Sequence, residues 1–107
     1  MKRLNDLLRV ADFEGTAYRQ FGRLLFGDSK YWLSVQATYG HYCRPRKTLP
    51  VEEYESFEVM ANVHIDDLPG KWDEYGNIYD VFSCVPREEI EEFIAVLEKK
   101  YGEVRGE

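Results

Sequence analysis

The sequence predicts an α+β domain: a three-stranded, mainly antiparallel sheet with an N-terminal helix, or two short helices, and a C-terminal helix packed on one face. Three observations carry this expectation. Ile90, Phe93, Ile94, Leu97 and Tyr101 recur at the spacing of one helical face. Two segments, 31–38 and 57–65, alternate apolar and polar side chains with the period of a half-buried strand. Residues 78–84 are dense in aromatic and β-branched side chains and follow the turn-forming Tyr75-Gly76-Asn77.

At the front, Leu4, Leu7, Leu8 and Ala11 share a helical face. Residues 16–26 place Tyr18, Phe21 and Leu25 at helical spacing but are interrupted by Gly22. A second short helix is the favoured reading, and a hairpin turning at Gly27-Asp28 competes with it. In 31–38, Tyr31, Leu33, Val35 and Ala37 alternate with Trp32, Ser34, Gln36 and Thr38; in 57–65, Phe57, Val59, Ala61, Val63 and Ile65 alternate with Glu58, Met60, Asn62 and His64. Trp32, Gln36, Met60, Asn62 and His64 are therefore expected on the sheet face turned away from the helices. The final helix has its own punctuation. Pro86 suits its first position, Glu88, Glu89, Glu91 and Glu92 complement its positive start, Lys99 and Lys100 its negative end, and Gly102 can cap it. With 107 residues, the chain is expected to form a single domain, 1–107.

Charge is divided unevenly along the chain. Residues 1–48 hold nine Lys and Arg against four Asp and Glu, whereas residues 49–107 hold five against sixteen, leaving a net −6. Such asymmetry speaks of partners and fields rather than of fold. General attraction to DNA or anionic lipid is not expected, and the longest apolar runs fall far short of the roughly 18 residues a membrane span needs. Two cysteines are too few for a disulfide scaffold, and no charged-then-apolar leader follows Met1, so a reducing cytoplasm is the expected setting.

No diagnostic catalytic motif is present, and neither enzymatic activity nor a cofactor is expected. Residues 39–47 concentrate Tyr39, His41, Tyr42, Cys43, Arg44, Arg46 and Lys47 around Pro45. Paired guanidinium donors suit phosphate or carboxylate, and the rings suit a base, so Tyr39, His41, Tyr42, Arg44, Arg46 and Lys47 form a candidate anion site. An internal salt bridge to the acids of the back half is the plainer fate for an arginine there. A zinc site from His41, Cys43, His64 and Cys84 fails on spacing, since His-x-Cys lacks the gap of a knuckle. Cys43 as a nucleophile has no base or oxyanion-binding turn assigned to it. Residues 66–77 are acidic but lack the alternating oxygen ligands of a calcium loop. Their candidate role is docking: Asp66, Asp67, Asp73 and Glu74 beside Trp72 and Tyr75, joined by Glu52, Glu53, Glu55, Glu58 and Trp32, would present carboxylates and ring anchors to a basic protein. A merely solvated acidic surface is the ordinary alternative.

The run Tyr31-Trp32-Leu33-Ser34-Val35-Gln36-Ala37 leading to His41-Tyr42-Cys43-Arg44-Pro45-Arg46, with the strand-to-helix step through Val85-Pro86, resembles small uncharacterised proteins carried by phages and prophages. The resemblance covers about half the chain and brings no catalytic residues. It implies an accessory protein that binds and disables host machinery, as anti-CRISPR inhibitors do. The expected partner is thus a basic, nucleic-acid-handling protein complex, with a phosphate-ligand or nucleotide-binding domain using residues 39–47 as the alternative. Sheet edges leave room for a homodimer.

Overall fold

The computed structural model describes residues 3–10, 20–76 and 81–107. The fold is α+β: an antiparallel sheet with helices. In chain order the elements are helix α1 (Arg3–Leu7), strands β1 (Leu24–Phe26), β2 (Tyr31–Gln36), β3 (Ser56–Asn62) and β4 (Val81–Pro86), helix α2 (Arg87–Tyr101) and strand β5 (Val104–Gly106). Three 3₁₀ segments intervene, at Val51–Glu53, Ile65–Asp67 and Gly70–Tyr75.

The sheet has five strands in the order β4-β3-β2-β1-β5, not three. The two additions hold three residues each, too short for a period-2 pattern to register. β1 also decides between the two readings of residues 16–26. The chain turns at Gly27 and pairs Leu24 with Leu33 and Phe26 with Tyr31, so the hairpin is correct and the second helix is not. Ala11 and Tyr18 lie outside the described residues. So do Ile78, Tyr79 and Asp80 of the expected third strand, which is described from Val81 and runs on to Pro86.

Alternation sorts the strands as expected over most of their length. Leu33, Val35, Phe57, Val59, Phe82 and Val85 are buried, and they meet Ile90, Phe93, Ile94 and Leu97 of α2. Because α2 touches both β4 and β1, it lies across one face of the sheet. Pro86 sits one residue earlier than expected, as the cap of α2 rather than its first turn. Ile65 breaks the pattern. β3 ends at Asn62, and Ile65 enters a 3₁₀ turn, 77% exposed.

Two glycines join the hairpin to the end of α2. Gly27 has φ +54°, and a Cβ there would stand 2.1 Å from the Tyr101 carbonyl oxygen. Gly102 has φ +115° and would place its own Cβ 3.0 Å from the Gly27 Cα. Neither position accepts a side chain, on backbone and on steric grounds together.

Trp72 corrects a further expectation. The 3₁₀ segment Gly70–Tyr75 folds against β4 and inserts Trp72 fully into the core, edge-on to Phe82 at 5.0–5.4 Å centroid spacing shared with Phe93. It offers no ring to a partner. Trp72→Ala should lower unfolding free energy by about 3–5 kcal/mol in urea denaturation, whereas a docking anchor at the surface would leave stability nearly unchanged.

Candidate functional site

Residues 39–47 are organised by hydrogen bonds to their own backbone and to the sheet. Thr38 Oγ1 lies 2.7 Å from His41 Nδ1 and accepts from the Gly40 N–H, which closes the first turn. Both Thr38 and His41 are buried, so His41 cannot stack on a ligand base as expected. Cys43 is buried too, its thiol pushed up by desolvation and donating towards the Thr38 and Pro45 carbonyls. A nucleophile needs the opposite shift. The Tyr54 hydroxyl donates to the Lys47 carbonyl at 2.6 Å and accepts from the Leu49 N–H at 2.7 Å, so one buried phenol gathers the end of the loop.

The loop is docked on the sheet by a bulge. Phe57 pairs with Val85 and Val59 with Phe82, which sets two β4 residues, Ser83 and Cys84, opposite Glu58 alone. Cys84 takes φ +52°, and its N–H leaves the ladder to reach the Tyr42 carbonyl at 3.0 Å. Glu58 completes the attachment by accepting from the Tyr42 N–H at 2.9 Å. Of the expected anion site, Tyr39, Tyr42, Arg44, Arg46 and Lys47 remain exposed, with Arg46 stacked 4.8 Å over the Tyr42 ring.

Arg87, at the start of α2, was not singled out from the sequence, yet it places the acidic segment. Its guanidinium donates to the Val51 carbonyl at 2.6 Å, to the Tyr54 carbonyl at 2.8 and 3.1 Å and to Asn5 Oδ1 at 2.7 Å, and its N–H donates to the Glu55 carbonyl. The segment carrying Glu52, Glu53 and Glu55 is thereby fixed beside Glu88. Glu74 joins them, because Glu55, Glu74 and Pro86 line one concavity. Five exposed carboxylates thus gather at the N-terminal end of α2, and among the described residues none of them forms an ion pair.

The other expected acids are employed internally or lie elsewhere. Asp67 pairs with Lys100 and accepts from the Tyr101 hydroxyl at the far end of α2. Asp66 is exposed near His64 at that same end, and Asp73 is exposed beside Glu74. Tyr75 is half-buried and donates to Glu89, a contact that pushes its phenol up to about 12. Trp32 is half-buried under Arg23 on the open face of the sheet. It pairs with Asn62 at the opposite end of β3 from Ser56, roughly 20 Å away by strand rise, and does not belong to the carboxylate cluster. Gln36, expected on that open face, is buried, and its side-chain amide is spent on the backbone of Phe21 and Gln20. His64 lies beyond β3 and caps the 3₁₀ turn at Ile65–Asp67.

No three His, Cys, Asp or Glu side chains assemble as a metal-binding group among the described residues, and none of the described helices is long and apolar enough to cross a membrane. No family model matches the chain, and neither a curated protein nor a solved structure shows significant similarity to it.

Two buried attachments make stability pH-dependent. The Lys100 ammonium and then the Tyr101 hydroxyl hold the Asp67 carboxyl below its usual range, and Arg3, followed by the Val104 N–H, does the same for Glu98. A lowered folded-state value means that ionisation favours folding, so this stability is present above about pH 4 and drains as pH falls through the lowered values. Urea midpoints followed from about pH 6 to about pH 2 should therefore fall less steeply for Glu98→Gln than for the wild type. Parallel curves would contradict the assignment.

Proposed function

We propose that this protein is a small non-enzymatic binding domain that docks its carboxylate cluster on a basic, nucleic-acid-handling host protein, in the manner of a phage-type anti-CRISPR inhibitor. One observation carries the reading: Glu52, Glu53, Glu55, Glu74 and Glu88 converge from three separate segments and remain exposed, while Glu58, Asp67, Glu89 and Glu98 are consumed by internal contacts. A surface built only for solubility has no need to concentrate like charges, because interspersed signs serve as well. Concentrated carboxylates present to a Lys- and Arg-lined groove a charge density like that of a nucleic-acid backbone. They accelerate encounter and restrict the orientation of docking.

The loop offers a second reading. Arg46 stacked on Tyr42, with Arg44 and Lys47 exposed nearby, is a plausible cradle for a phosphate-bearing ligand. A nucleotide bound at a hundred times its Kd would raise stability by about 2.7 kcal/mol. A thermal-shift series across nucleotides that leaves the unfolding temperature unmoved rules that reading out.

For the principal reading, association with purified RNA-guided effector complexes should slow about tenfold or more in Glu52→Gln/Glu53→Gln/Glu88→Gln, with a smaller change in dissociation, and should weaken as salt rises. Interferometry at low and raised ionic strength measures both rates. Unchanged association of the triple variant would sink the electrostatic mechanism.

A further inference from the structure

A concavity of about 570 Å³ opens within the carboxylate cluster, and its construction follows from the β4 bulge. With Cys84 turned towards the loop, the end of the β3–β4 pair is left uncovered. Ser56, Ser83 and Pro86 form the sheltered part of the concavity, and the exposed Arg44, Glu55 and Glu74 stand around it with Tyr75. Ser56 is 5% exposed, and its Oγ is buried without a hydrogen-bond partner among the described residues. A buried hydroxyl of this kind penalises the folded state until something completes it. The neighbouring side chains have used their options elsewhere: the Tyr75 hydroxyl is committed to Glu89, and the Arg44 backbone to Ser56 and Glu55.

The charge around the opening selects the ligand. Glu55 and Glu74 outnumber Arg44 within the wall, and Glu52, Glu53 and Glu88 lie close by, so the local field favours a cation. The acceptors available to it are two carboxylates and one serine oxygen. Only a group with several divergent N–H donors satisfies all three at once, and a guanidinium carries five in a fixed plane. The ring of Pro86 and the body of Tyr75 supply apolar surface for an aliphatic stem.

We propose that this concavity is the socket for a single arginine side chain of the partner protein, its guanidinium donating to Glu55, Glu74 and Ser56 Oγ. The proposal rests on the reading of the carboxylate cluster as the docking surface and names the contact at its centre. Arg44 sets the occupancy: it repels a second cation and keeps the socket to one side chain.

N-acetyl-arginine amide, which carries one positive charge and no carboxylate, is the probe. Titrated to well above millimolar concentration, it should shift the backbone amide resonances of Ser56, Ser83 and Cys84. Glu55→Gln and Glu74→Gln should each weaken the probe by up to about fivefold, as expected of solvent-accessible pairs, and Arg44→Gln should tighten it. Ser56→Ala should weaken binding while leaving the free protein as stable as the wild type or more so, because the substitution removes an unsatisfied group. An anion site behaves oppositely. Loss of binding in Arg44→Gln, equal shifts produced by N-acetyl-glutamate amide, or no shift at these three amides would each overturn the socket. If the socket fails while Glu52→Gln/Glu53→Gln/Glu88→Gln still slows effector association, the docking surface stands without it.

Discussion

The guanidinium of Arg87 holds the acidic half of the molecule in place. Carbonyls at the end of a short 3₁₀ turn have no partners within the turn and must be satisfied from outside. Arg87 satisfies those of Val51 and Tyr54 with one planar group, reaches Asn5 of α1 with its remaining fork, and lies 5.3 Å over the Phe57 ring. A lysine, with a single point of donation, would not span these acceptors. The result is that α1, the 3₁₀ turn, β3 and α2 share one anchor. Carboxylates clustered around that anchor repel one another, but the buried cation and the positive end of α2 both lie beneath them and offset part of the cost.

A buried carboxylate plays the corresponding part on the other side of α2. Glu91 is 3% exposed and accepts from the Leu4 N–H at 3.0 Å, which supplies the first turn of α1 with an acceptor that its own sequence lacks. Glu98 grips Arg3 at 2.8 Å one face further along. Net charge counted along the chain therefore misjudges what is presented to solvent. Several of the acids that make the back half negative are structural, and the ones left over are gathered by Arg87 into a small area.

The contrast between what was legible in the sequence and what was not has a physical basis. β2, β3 and α2 announce themselves because each is long enough to repeat its period several times, as Leu33, Val35, Phe57, Val59, Ile90 and Leu97 do. β1 and β5 are three residues each and exist because the Gly27 turn and the Gly102 turn deliver them to the sheet edge. Residues 16–26 misled because helical spacing of Tyr18, Phe21 and Leu25 is indistinguishable over so short a run from chance. Trp72 misled for another reason: its neighbours are acidic, but the 3₁₀ segment turns those acids outward and the indole inward. At the candidate site, the run Glu52, Glu53, Glu55 was visible, whereas its convergence with Glu74 and Glu88 depends on tertiary contacts. Arg87 read as one more helix-surface cation, Tyr54 as one more aromatic, and Ser56 as an ordinary strand residue. The bulge at Ser83-Cys84 has no local signature at all, since cysteine is not a residue that favours positive φ.

The close approach of Gly27 to Gly102 bears on how this chain can change over generations. Each glycine occupies space that the other's backbone already borders, so replacement of either one alone is rejected whatever the new residue's chemistry. Insertions in the hairpin or at the close of α2 would have to arise together to keep the two turns nested. That corner of the molecule is inherited as a unit, while the exposed glutamates at the opposite end of α2 are free to vary one at a time as a target's surface drifts.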